Sequence, residues 1–185
     1  MVLLAHSFVS DDCFLCSDCY PSDFLAPPGI GNGSKWIERV VGAFKGLRIP
    51  PQDLEVARHG MFYSVSPMAG LRVVVLNSVY CDFINPFAHL FGDDPAGMFA
   101  WLRKTLSLSR AAHERVYLVS HQSPGADHHY PNTVVIPHLT KSCDKQYNLI
   151  MDEFRDVIEM SFYGHEVSTL SLWSSVAMEG VGESD

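Results

Sequence analysis

The chain has 185 residues, of which 47% are hydrophobic, so it can bury the core of one domain. Its formal net charge of −8 argues against a nucleic-acid partner, because proteins that bind the phosphate backbone present a basic surface. Every apolar run falls short of the roughly 20 residues that a membrane-spanning helix needs, so no transmembrane segment is expected.

Residues 1–23 are predicted to form an irregular N-terminal segment. Cys13, Cys16 and Cys19 follow the spacing C-x2-C-x2-C, which occurs in zinc and iron–sulfur sites, but a fourth ligand at suitable spacing is missing. We therefore expect free or disulfide-bonded thiols here, with the pairing of the five cysteines left open. The segment has no basic n-region and no convincing cleavage site, so the sequence does not indicate a secretory signal and leaves the localisation open.

A glycine-rich loop over residues 27–33 precedes the first predicted helix, at residues 35–44. Ser34 stands where a helix cap belongs, and the apolar residues of the helix recur on one face. Asn32 lies between two glycines of the loop, a pattern that by itself indicates a turn.

A second short helix and two strands are predicted next. The helix begins at Pro50 and Pro51, and the strands cover residues 60–65 and 71–77, joined by a hairpin-type connection. The second strand ends at Asn77 and opens a long loop, and long loops at strand ends often line functional sites.

Two later strands give the sharpest functional signal, because each ends at a histidine. Residues 116–119 lack polar alternation, which is typical of a strand buried on both faces, and His121 follows closely. Residues 156–165 repeat the arrangement and end at His165. Ligands of layered α/β folds bind beyond the carboxyl ends of strands. A metal-ligand role and a hydrogen-bonding role are both open for these two histidines.

Helices are predicted beside these strands, from Asp94 and Pro95 to about residue 107 and over residues 142–155. A further strand is expected at residues 167–173, and strands that alternate with helices indicate a layered α/β fold. The predicted organisation is one domain over residues 24–177, followed by an acidic tail at residues 178–185.

The remaining histidines are expected to be surface or structural residues. His128 and His129 lie in the loop after the first histidine strand, where Asp127 is a possible ion-pair partner, and a solvated loop is the favoured interpretation. His138 follows Pro137, and no partner for it is evident in the sequence.

Several short stretches, read in order, resemble the calcineurin-like metallophosphoesterases, and among them the acid sphingomyelinase-like phosphodiesterases. They are GMFYS from Gly60, LRVVVLN from Leu71, DPAGMFAWL from Asp94, SHQSPG from Ser120 and FYGH from Phe162. They are similar to the family's GGFYS-like strand, L-R-hydrophobic-LN strand, DPA helix, GHxPxG loop and FxGHTH loop. The resemblance covers roughly residues 24–173.

The resemblance implies a metallophosphoesterase β-sandwich flanked by helices, with the N-terminal strands of the family missing from this chain. It also implies a metal-dependent phosphodiesterase, similar to sphingomyelin phosphodiesterase, that acts through a metal-activated hydroxide. Asn32 matches the asparagine of the family's GNH motif, His121 the histidine of GHxPxG, and His165 the first histidine of GHTH. These three residues are therefore the expected ligands of one divalent cation, zinc, where the family holds two. The implied partner is a phosphoester small molecule or a lipid headgroup.

Three departures from the family pattern predict impaired activity. Gly33 stands where the GNH histidine binds phosphate and protonates the leaving group, and glycine can do neither. Glu166 and Val167 replace the Thr-His of GHTH, which removes a ligand of the second metal. No D-x-H or G-D-x-x-D motif precedes Gly31.

At most one cation is expected, and the alternatives are an inactive scaffold or interaction module, or an incomplete gene model. The natural substrate and the oligomeric state are left open.

Overall fold

The computed structural model describes residues 24–30, 33–43, 49–126 and 136–165. Four strands form one mixed sheet in the order β1-β2-β3-β4. They are β1 Tyr63–Met68, β2 Leu71–Val75, β3 Arg115–Ser120 and β4 Ile158–Tyr163. β1 is antiparallel to β2, whereas β2, β3 and β4 are parallel to one another. The α/β class is confirmed, whereas the sandwich, the missing N-terminal strands and the domain boundaries stay predictions.

Five α-helices and two 3-10 turns accompany the strands in the described ranges, and the first two helices precede β1. The helices are α1 Gly33–Ala43, α2 Pro51–Gly60, α3 Pro86–Leu90, α4 Met98–Ala111 and α5 Lys141–Glu153, and the turns are Ser78–Cys81 and Pro95–Gly97. None of the helices in this part of the chain combines the length and the apolarity needed to cross a bilayer.

The sheet separates two apolar cores, because successive side chains of a strand point to opposite faces. Val116 and Leu118 of β3 pack with α4 and α5, for example against Leu106 and Ile150. Val119 packs into the second core, to which α1 and α2 contribute. β3 is thus buried on both faces, as its unbroken apolar run predicts.

Several element boundaries differ from the sequence prediction. Gly60 is the last residue of α2 and Met61 adopts left-handed backbone, with φ of 57°, so β1 begins only at Tyr63. α1 begins at Gly33, which places Ser34 inside its first turn, where Ser34 Oγ accepts a hydrogen bond from the Gly29 amide at 3.3 Å. The capping role predicted for Ser34 is therefore wrong.

Asp94 and Pro95 are not the cap and the first residue of α4, because Gly97 occupies the cap position of that helix. Pro95 opens a 3-10 turn, and the left-handed backbone of Ala96 and Gly97, with φ of 67° and 69°, delays α4 to Met98. The two carboxylate oxygens of Asp94 nevertheless accept the amides of residues 99 and 100, at 2.8 and 2.9 Å. The carboxylate thus satisfies amides that have no partner within the helix.

Candidate functional site

The carboxyl ends of the three parallel strands meet at one edge of the sheet, and both strand-end histidines lie there. Ser120 of β3 is in register with Tyr163 of β4, so His121 and His165 leave neighbouring strands at nearly the same level. The carbonyl oxygen of His121 accepts hydrogen bonds from the amides of Gly164 and His165, at 3.0 and 2.8 Å. The backbone therefore fixes the two histidines relative to each other.

The imidazole rings of His121 and His165, here called the histidine pair, meet edge to face. Nδ1 of His165 lies 3.1 Å from Nε2 of His121, and the ring planes are 88° apart. His121 is buried, with 5% of its surface exposed, whereas His165 is partly exposed. The two predicted ligands, 44 residues apart in sequence, are thus in contact.

The spacing of these two nitrogens fits a shared cation. Two nitrogen ligands about 2.0–2.1 Å from one tetrahedral zinc are separated by roughly 3.3 Å, close to the observed distance. A hydrogen bond between a protonated and an unprotonated ring nitrogen fits the same separation. Asn32, the third predicted ligand, lies outside the described residues. In the described part of the chain, no three His, Cys, Asp or Glu side chains form a group that could hold a metal ion.

The segment that precedes Asn32 is attached to the loop that follows β2. Nδ2 of Asn85 donates to the carbonyl oxygens of Leu25 and Val79, at 3.0 and 2.7 Å, and its Oδ1 accepts from the Phe87 amide. Asn85 and Leu25 are both completely buried. This network therefore fixes Leu25 against the loop after β2, which leaves the same edge of the sheet as the histidine pair.

A buried polar network supports the residue after His121. The side-chain amide of Gln122 donates to the carboxylate of Asp82 at 2.7 Å, and the Gln122 backbone amide donates to Ser78 Oγ at 3.2 Å. All three residues are buried. The loop after β2 therefore holds the loop after β3 in place, a role for Asp82 that the sequence does not indicate.

His138 is a member of the same cluster, which sequence reasoning missed. It is buried, with 5% exposed, and its ring centroid lies 5.2 Å from that of His165 at an interplanar angle of 70°. Its Nδ1 lies 3.3 Å from the carbonyl oxygen of Ser123. No local sequence pattern could have found these contacts, because the partners are 15 and 27 positions away in the sequence.

A disulfide bond between Cys81 and Cys143 connects the loop after β2 to α5. Two backbone hydrogen bonds accompany it, from the Thr140 amide to the Cys81 carbonyl at 2.8 Å and from the Phe83 amide to the His138 carbonyl at 3.0 Å. This connection places residues 138–140 above the ends of the parallel strands.

The end of β4 is also anchored to α5 through two phenols. The hydroxyl oxygens of Tyr147 and Tyr163 are 2.7 Å apart, and burial raises the pKa of both groups. Both phenols therefore stay neutral and hydrogen-bonded, and Tyr163 holds the strand two residues before His165.

Other predicted features lie outside the described residues. They are the three N-terminal cysteines, His128 and His129, Glu166 and Val167, the strand at residues 167–173 and the acidic tail.

Comparison with known proteins extends these observations. No protein-family model matches the chain. Sphingomyelin phosphodiesterase B of Dictyostelium discoideum is 33% identical over 146 residues, which are 78% of this chain and 21% of that protein. Human sphingomyelin phosphodiesterase is 29% identical over 147 residues, again 78% of this chain and 21% of the relative. The human cyclic GMP-AMP phosphodiesterase SMPDL3A is 30% identical over 152 residues, 75% of this chain and 32% of that protein.

The chain spans about a fifth of the length of the first two of these relatives. The matched region is nevertheless most of the chain. Over 78% of its length the protein is similar to sphingomyelin phosphodiesterases. This similarity supports the resemblance to the acid sphingomyelinase-like family.

Proposed function

We propose that this chain is a calcineurin-like metallophosphoesterase of the sphingomyelin phosphodiesterase type that retains one cation site. Asn32, His121 and His165 are the proposed ligands, and zinc is the proposed cation. The observation that supports this most directly is the 3.1 Å separation of Nδ1 of His165 and Nε2 of His121 at the carboxyl ends of two parallel strands.

The two histidines would hold the cation through neutral ring nitrogens. His121 would bind through Nε2 and His165 through Nδ1, because these are the atoms that face each other. A bound divalent cation would supply Lewis acidity toward a phosphoryl oxygen. The hydrogen bonds from the amides of Gly164 and His165 to His121 hold both ligands without any further ordering of the backbone.

The proposed substrate class is a phosphodiester. The relatives are named for sphingomyelin or for cyclic GMP-AMP, which share a phosphodiester linkage and differ in the groups attached to it. A phosphoester small molecule and a lipid headgroup both offer this linkage.

We propose that turnover by this chain is weak. Gly33 has no side chain to bind a phosphate or to protonate a leaving group, and it begins α1 directly after Asn32. Val167 replaces a histidine that the family uses for its second cation. One cation with neutral ligands can polarise a phosphoryl oxygen, but it does not clamp both the attacking and the leaving oxygens.

The test is to measure zinc content and phosphodiesterase activity on the same purified protein. We expect one zinc per chain, loss of that zinc in His121→Ala and in His165→Ala, and negligible zinc-dependent turnover of bis-(p-nitrophenyl) phosphate. His59→Gln is the matched control, because His59 is an exposed histidine that bonds to the carbonyl of Ala96.

Two results would change the proposal. Zinc-dependent turnover that His121→Ala abolishes would contradict weak activity while supporting the cation site. Zinc that is retained in both histidine variants, and lost only when Cys13, Cys16 and Cys19 are replaced, would contradict the cation site and favour a binding module.

A further inference from the structure

We propose that His138 is a positioning residue, which holds the imidazole of His165 in the rotamer that points its Nδ1 at His121. This inference rests on the proposed cation site, because it assigns a role within that site. The loop position of His138 in the sequence does not suggest such a role.

The backbone of His165 is fixed by its hydrogen bond to His121, but the rotamer of a partly exposed imidazole needs a side-chain contact. His138 makes that contact. Its ring meets the ring of His165 edge to face, with centroids 5.2 Å apart, and His121 approaches the same ring at 5.0 Å. Such tilted arrangements at 4.5–7 Å are the favoured geometry of aromatic pairs. The His165 ring therefore contacts two imidazoles, one proposed as a ligand and one that only orients it.

His138 is itself rigidly held. Nδ1 of His138 lies 3.3 Å from both the carbonyl oxygen and the hydroxyl oxygen of Ser123, so Ser123 offers this nitrogen a hydrogen-bond partner in either tautomer of the ring. The backbone amide of His138 donates to Gly125 at 3.0 Å, and its carbonyl accepts from Phe83 at 3.0 Å. An orienting residue must not move, and these bonds fix both its backbone and its ring.

The disulfide extends this support to the rest of the domain. Thr140, two residues after His138, donates its amide to the Cys81 carbonyl, and Cys81 is bonded covalently to Cys143. The segment that places His138 is thus joined to the loop after β2 and to α5. Residues that orient a metal-binding histidine typically change metal affinity by about 10–100-fold when they are removed.

Two substitutions separate the ring of His138 from its hydrogen bond. His138→Phe keeps a ring next to His165 and loses the hydrogen bond to Ser123. His138→Asn keeps an amide N–H near the position of Nδ1 and removes the ring. A positioning role requires the ring, so its loss should change the orientation of His165, whereas a purely structural role would show only as a loss of stability.

The first measurement is the zinc dissociation constant of the full chain, obtained by calorimetry against a competing chelator. We expect His138→Asn to raise it by at least about 10-fold, and His138→Phe to stay within about 3-fold of the wild type. Thermal unfolding of each variant checks that the fold is retained, and His59→Asn is the control. An unchanged dissociation constant in His138→Asn would overturn the inference.

The second measurement needs no metal and separates the two proposals. In the metal-free protein, nuclear Overhauser contacts between the ring protons of His121 and His165 report their mutual orientation. We expect these contacts in the wild type and in His138→Phe, and their loss in His138→Asn. Loss of the contacts in a protein that binds no zinc would support positioning while overturning the cation site. Their retention in His138→Asn would overturn positioning alone.

Discussion

The carbonyl oxygen of His121 accepts hydrogen bonds from the backbone amides of both Gly164 and His165. The pairing of β3 with β4 ends at Ser120 and Tyr163, so this contact continues the connection between the two strands beyond the sheet. The position of each histidine therefore depends on the neighbouring strand as well as on its own.

We predict that the two histidines act as one unit in zinc binding. Each of the variants His121→Ala and His165→Ala is expected to raise the zinc dissociation constant by at least about 100-fold, because each removes one of few neutral ligands. The double variant is expected to be little worse than either single variant, since residues in one network are not additive. Calorimetric titration of the three proteins measures this, and an unchanged zinc dissociation constant in either single variant would contradict a shared cation.

Reduction of the Cys81–Cys143 disulfide is expected to destabilise the domain. The two cysteines are 62 positions apart, and closing a loop of that length lowers the entropy of the unfolded chain by an amount worth about 4 kcal/mol. The midpoint of urea unfolding of the wild type should therefore fall when dithiothreitol is added. In the double variant Cys81→Ala, Cys143→Ala the midpoint should not respond to dithiothreitol. A response that persists in the double variant would assign the effect to other cysteines.

Helix α4 offers a matched pair of leucines that tests the core. Leu106 is completely buried between α4 and the sheet, whereas Leu108, two positions later, is 60% exposed. Leu106→Ala is expected to lower the free energy of unfolding by about 2–5 kcal/mol, because it leaves a cavity. Leu108→Ala should change it by less than about 0.5 kcal/mol. Urea unfolding of both variants measures the difference, and similar losses would mean that α4 does not pack as described.

The stability of the domain should depend on the charge of Glu114. Its two carboxylate oxygens accept hydrogen bonds from Arg72, and Ser109 donates a third. The hydrogen bonds from Arg72 are the main reason that the pKa of Glu114 is lower than usual in the folded protein. A carboxyl group with a lowered folded pKa stabilises the fold above its unfolded pKa of about 4.3, and this contribution is lost as the pH falls through the folded value.

Glu114→Gln is therefore expected to lower stability by about 1–2 kcal/mol at pH 7 and to have less effect below pH 4. Melting temperatures of wild type and variant between pH 7 and pH 3 measure this. Glu159→Gln is the control, because Glu159 makes an exposed pair with Arg115 at 3.4 Å, and such pairs contribute little. A stability difference between wild type and Glu114→Gln that does not change with pH would contradict the assignment.

Local sequence patterns predict the helices and strands themselves more accurately than the residues at which they begin and end. The sequence predicts β3 from its apolar run and a helix start near Asp94, because burial on both faces and the bonding of a carboxylate to helix amides each leave a local pattern. The start of β1 was placed three residues early, because the left-handed turn at Met61 that ends α2 is formed without a glycine. The delay of α4 to Met98 was missed for a similar reason, since Ala96 has positive φ.

The sequence by itself determined that His121 and His165 each follow a strand, because a run of apolar residues is a property of each segment alone. The prediction that both strands are buried is wrong for β4, which lies at the edge of the described sheet and is partly exposed. The sequence also determined the resemblance to phosphodiesterases, since that resemblance depends on short motifs in a fixed order. Only the tertiary structure decided that the two strands are parallel neighbours, that Cys81 bonds to Cys143 and that His138 contacts His165. These contacts join residues between 27 and 62 positions apart, so they depend on which strands pair and which helices pack rather than on any local pattern.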